Sequence, residues 1–162
     1  MAKNQAANAE REEEVQSNWV RWGKEGNTIK GTLIAVRSMK STLPGKQGEN
    51  VAIYEIKASE GEFNNMDKKT KEPIEPAITI EAGDIYNVGG KPIIDRQMRN
   101  IKLGTKIRMT FTETNPAKNA GFSDLKVVKV YVVRDGSNQP VMDQEWLDEQ
   151  EREAAVKDFD KN

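Results

Sequence analysis

The chain has 162 residues, 36% hydrophobic and 31% charged, with a mean hydropathy of −0.78. It has no Cys and no His, which removes disulfides, Cys/His zinc sites, thiol nucleophiles and imidazole triads. Its net charge of −1 hides a segregation. Met1–Ser17 sums to −2, Asn18–Met142 to +6 from 20 basic and 14 acidic residues, and Asp143–Asn162 to −5 from 3 basic and 8 acidic ones. A basic middle with an acidic end is the pattern of a polyanion-binding domain carrying its own competing polyanion. No apolar run reaches bilayer length, and the opening MAKNQAANAEREEEV lacks a secretory h-region, so a soluble cytoplasmic protein is expected.

Residues 1–17, rich in Ala, Asn, Gln and Glu, read as a flexible arm. Trp19 and Trp22 open the folded part, and Gly23 and Gly26 exclude a helix there. Thr28–Met39 predicts a long strand rich in β-branched residues, with Gly31 marking a bulge. The turn-rich Ser41–Asn50 leads into a second strand, Val51–Ala58, with Ala52, Tyr54 and Ile56 on one face and Glu55 and Lys57 on the other. Glu62–Pro76 reads as a mobile polar loop carrying Lys68, Lys69 and Lys71, and Ala77–Ala82 as a short third strand. In the following segment Pro92 suits a first helical turn, Ile94, Met98 and Ile101 share a helical face, and Gly104 is expected to stop the helix. Lys106–Thr114 alternates strictly: Ile107, Met109 and Phe111 point one way, Arg108, Thr110 and Thr112 the other. Phe122–Val133 is a last long strand whose pattern changes face midway, and Asp143–Asn162 is helix-prone and acidic.

Three strands, a short helix and two more strands predict an all-β fold, a five-stranded Greek-key barrel of the OB type with an acidic, partly helical C-terminal tail. An open antiparallel sheet with one helix on a face is the competing arrangement. The expected organisation is an arm over 1–17, a nucleic-acid-binding domain over 18–135 and an acidic tail over 136–162.

The runs EGNTIKGTLIAV, VAIYEIKA and KPIIDRQMRNIKLGTKIRMTFTETNPAKNAGFSDLKVVKVYVV give a Gly-led first strand, a helix ending in I-x-x-G before a strand, and a Gly-aromatic-x-Asp start to the last strand. Over about residues 22–133 this resembles the bacteriophage-type single-stranded DNA-binding proteins with an OB fold. The resemblance implies replication, recombination or repair, in the host cytoplasm if the chain is phage-encoded, with an acidic C-terminal tail that recruits replication or recombination proteins. The chain departs from that pattern at its end, DFDKN, which lacks a terminal aromatic.

A binder that ignores sequence needs cations for phosphates and flat rings for unstacked bases, each stack contributing about 1–3 kcal/mol. In an OB barrel the groove lies over the second and third strands, framed by the loops joining strands one to two and four to five. Those loops carry Lys46 and Lys118, with Lys40 at the entry to the first. The strand cations Lys30, Arg37, Lys57, Arg108, Lys126 and Lys129 are phosphate candidates, and Trp22, Tyr86, Phe122 and Tyr131 stacking candidates. Each also has a plainer reading, a solvated charge or a core ring; Tyr54 and Phe111 read as core and Trp19 as packing over the barrel end. Lys68, Lys69 and Lys71 read either as a flap over the strand or as a solvated loop. Trp146, Leu147 and Phe159 either present the tail to a partner or pack it on its own domain.

The expected protein is therefore a non-enzymatic binder of single-stranded DNA, without cofactor or membrane. RNA satisfies the same stacking and phosphate chemistry, and a homo-oligomer is left open. The alternative is an OB-like interaction module of a virion or multiprotein assembly, anchored by Trp19, Trp22 and Trp146. A carboxylate nuclease using Asp84, Asp95 and Asp124 has no ligand-spaced motif behind it.

Overall fold

Apolar residues alternate with polar ones most cleanly along Lys106–Asn115, and the computed structural model gathers this and the other extended segments into a single sheet. It describes residues 18–41, 48–117 and 124–161, with side chains as far as 158. The elements are β1 (Asn18–Trp19), β2 (Thr28–Lys40), β3 (Asn50–Phe63), β4 (Ile78–Thr79), β5 (Ile85–Gly89), α1 (Pro92–Met98), β6 (Lys106–Asn115), β7 (Leu125–Val132) and α2 (Gln144–Lys161). Among the described residues the fold is all-β with two helices. Its open sheet runs β1-β5-β3-β2-β6-β7, with β4 added to β3. Every pair is antiparallel except β1 with β5.

The inward residues of the long strands build the core: Ile29 and Leu33 of β2, Ile56 of β3, Val88 of β5, Ile107 and Met109 of β6 and Val128 of β7 are sealed from solvent. Burying a side chain of this size stabilises the fold by about 1.5–3 kcal/mol. Curvature enters where the pairing slips. Between β2 and β3 the register shifts at Lys30/Gly31 and at Leu33/Ala35, and between β6 and β7 at Phe111/Glu113. The first slip is where Gly31 predicts it, because a β-carbon there would sit 2.3 Å from the Lys57 carbonyl oxygen. The last lies opposite Val127 and Val128, consecutive buried residues that account for the change of face in the final strand.

Three expectations need correction. Only Ile78 and Thr79 of the expected third strand pair; the full third strand is Ile85–Gly89, after a turn at Gly83 (φ 94°). The helix ends at Met98, before Gly104, although Pro92 does open it and Ile94 and Met98 are buried as expected. The expected loop over 62–76 begins later, since Glu62 and Phe63 extend β3 and pair with β4, and the loop beyond them carries its own hydrogen bonds. Asn64 is buried, its Nδ2 donates to the Ile74 carbonyl, and the Asp67 carboxylate accepts from the Lys69 and Thr70 amides.

α1 is tied to the sheet at two points. The Tyr54 hydroxyl donates to Asp95 over 2.6 Å, and Gln97 serves the free side of β7: its Nε2 donates to the Val128 carbonyl and its Oε1 accepts the Val130 amide, both at 2.8 Å. The tail is also docked at its start. Lys106 N donates to Val141 O and Asp143 N to Gly104 O. Asp143 caps α2 by accepting the Trp146 amide and takes the Thr32 hydroxyl on its other oxygen. Beyond Leu147, the described side chains of α2 are exposed through Asp158.

Candidate nucleic-acid interface

Parallel pairing of β1 with β5 lays the segment 18–22 along the outer side of β5, and this strap forms one wall of a cleft of about 820 Å³. The other walls are the loop after β3, the residues around Gly89 that enter α1, and the first turn of β7. Five cations line it: Arg21, Lys68, Lys71, Lys91 and Lys126. Asp67 is the one carboxylate among the described lining residues, and its Oδ1 is already accepting two backbone amides of its own loop. Trp19, half-buried, and the edge of Trp22 supply apolar lining.

Lys126 is the fixed point of the cleft. Its ammonium donates to the Trp22 carbonyl over 2.6 Å, contacts the Met66 sulfur at 2.8 Å and lies 5.7 Å from the centre of the Phe111 ring. One lysine thus pins the strap and the loop to β7. Burial lowers its pKa, and the like charge of Lys91 lowers it further. Lys91 is an exposed residue, yet crowding by the cleft walls pushes its ammonium down as well. Two ammoniums facing one cavity without a free carboxylate make that cavity favourable for an anion, which would offset both penalties.

The residues expected from sequence divide into groups. Lys46, Lys118, Phe122 and the Phe159 side chain lie outside the described residues. Two stacking candidates are overturned as free rings. Trp22 is 6% exposed, and Tyr86, also 6%, packs edge-on against Phe63 with ring centres 6.2 Å apart. β5 turns Tyr86 inward, and the chain after β1 turns Trp22 into the same core. Arg37 is committed to Glu55 at 3.1 Å and to Asn87 at 3.3 Å, and Arg108 meets Glu60 at 3.3 Å. Lys40 is exposed at the end of β2. The expected groove over β3 and β5 is therefore poor in uncommitted cations among the described residues. Lys30, Lys57, Arg108, Lys129 and Tyr131 stand instead on the outer face of the sheet, apart from the cleft, which takes Trp22 and Lys126 from the expected strand and ring candidates and Lys68 and Lys71 from the expected flap. Trp146 and Leu147 are half-buried, and Leu147 packs on Gly104, so they seat α2 on its own domain rather than presenting it outward. Val156, 59% exposed, is the large apolar side chain that α2 does present.

Arg21 and Lys91 were missed. The clue for Arg21 was local, a cation inside Trp-Val-Arg-Trp; Lys91 follows Gly89-Gly90, where a chain bends sharply into a helix. Asp84, Asp95 and Asp124 do not converge: Asp95 accepts from Tyr54 and Asp124 from the Ala117 amide. No group of three or more metal-ligating side chains occurs among the described residues. No helix among them is long and apolar enough to cross a membrane.

Comparison with protein-family models, with curated proteins and with solved structures gives no match for this chain.

Proposed function

We propose that this chain is a sequence-tolerant single-stranded DNA-binding protein on an OB-type barrel, serving replication, recombination or repair in a phage-type setting. The observation that carries the reading is the cleft, with five cations against a single engaged carboxylate and Trp19 in its wall. A phosphate chain satisfies the charge, and a tryptophan at the rim offers a surface for a base. The barrel assignment draws support from the order β5-β3-β2-β6-β7 with α1 between the third and fourth long strands. β1 lies parallel to β5 at one end of the sheet, and Lys126 reaches from β7 at the other end to the Trp22 carbonyl, an approach that favours closure. The acidic, exposed length of α2 is suited to a basic surface on a replication or recombination protein.

The test is quenching of tryptophan fluorescence by poly-dT and its reversal by salt, with duplex DNA and RNA of equal length compared by gel shift. Binding to the single strand above the duplex is expected. Absence of any oligonucleotide binding in dilute buffer, with residues 143–162 removed to exclude competition, refutes the proposal.

A further inference from the structure

We infer that the outer face of the sheet is a second, separate path for a single strand, so that one molecule holds two strand segments at once. This rests on the nucleic-acid reading above. Pairing register places Lys30, Arg108 and Tyr131 in one row across β2, β6 and β7, and Lys57, Thr32 and Lys106 in the next. Rows that share a face lie about 7 Å apart along the strands.

Two shallow hollows run together over these rows, joined at Lys30 and Val133. Lys30, Lys57 and Lys106 line the first around Asp143; Lys30, Arg108 and Tyr131 line the second. Neither shares a lining residue with the cleft. Asp143 is the one carboxylate lining this double hollow among the described residues, and its oxygens already accept from Thr32 and from the Trp146 amide. Glu60 touches Arg108 from the β3 side, but both partners are exposed. Such a pair contributes little and yields readily to a phosphate. Tyr131 is 49% exposed, directly across from Arg108. An accessible ring within a row of cations supplies base stacking and phosphate contact together. The outer path therefore has the same chemistry as the cleft, on different residues.

Short oligo-dT carrying either a donor or an acceptor dye is mixed in equal parts with the full chain at low salt. Sensitised emission reports two oligonucleotides held together, and sedimentation mass shows whether one chain holds both. Two per chain are expected in the native protein. One is expected in Lys30→Glu/Arg108→Glu/Tyr131→Ala, with energy transfer at background, and one in the cleft variant Arg21→Glu/Lys68→Glu/Lys71→Glu. Tyr131→Ala alone, at a half-exposed ring, is expected to weaken the second oligonucleotide severalfold. One oligonucleotide per chain in the native protein, lost in the cleft variant, overturns the outer path and leaves the cleft standing. One per chain, lost in the outer-face variant and kept in the cleft variant, overturns both the two-path inference and the assignment of binding to the cleft. Two per chain in the outer-face variant also refutes the outer path.

Discussion

Replacing Arg21, Lys68 and Lys71 together by Gln removes three of the five cleft cations and leaves the core untouched, since all three residues are exposed. Lys126 is left in place because it holds the Trp22 carbonyl, and its loss would confound binding with folding. Each phosphate neutralised on a single strand contributes about −0.7 to the slope of log affinity against log salt, so five contacts give about −3.5 and two about −1.4. Between about 50 and about 200 mM salt the native affinity should then fall about 100-fold and the variant's about sevenfold. Anisotropy of labelled oligo-dT at several salt concentrations measures both slopes, and a thermal melt verifies that the variant is folded. A variant slope equal to the native one would refute the assignment of phosphate contacts to this cleft, whatever the absolute affinities.

Three further predictions concern the frame that positions the site. Gly31→Ala should destabilise the protein by at least about 2 kcal/mol, because the new methyl meets the Lys57 carbonyl and not a yielding side chain; an unchanged denaturant midpoint would refute the close approach. Gln97→Leu leaves Val128 O and Val130 N without their side-chain partners, for a loss of about 1–3 kcal/mol and faster amide exchange at Val130; protection equal to the native protein's would count against this contact. Burial pushes the Asp143 carboxyl up, but the bonds from Thr32 and Trp146 and the nearby Lys57 and Lys106 outweigh it and hold the group below the usual Asp value. A lowered folded pKa means that this stabilisation is complete above the unfolded Asp pKa and disappears as pH falls below about 4. The Trp146 amide should exchange faster across that window, and Asp143→Ala should abolish the pH step while weakening the first turn of α2 by about 0.5–2 kcal/mol.

What could be read from the sequence is what depends on neighbours in the chain. β6 was legible residue by residue because Ile107, Met109 and Phe111 alternate with polar partners, and Gly31 announced its bulge because a strand keeps a glycine where another backbone comes close. β5 was hidden by Asn87, a buried amide between Tyr86 and Val88 that breaks the alternation and is satisfied by Arg37, remote in sequence. The direction of Trp22 and Tyr86 depends on which strand lies beside them, which composition does not convey. The cleft was the least legible feature. Positions 21, 68, 71, 91 and 126 belong to four separate stretches, and only the pairing of β1 with β5 and the reach of Lys126 make them neighbours.

The contact between Gln97 and β7 has a consequence beyond stability. A terminal strand with unoccupied main-chain groups templates the growth of fibres from other copies. Here a single amide, projecting from a helix, fills the positions at Val128 and Val130 where an incoming chain would dock. How well this molecule stays dispersed at high concentration thus depends in part on one side chain, which lies outside both proposed binding surfaces and is open to selection independently of them.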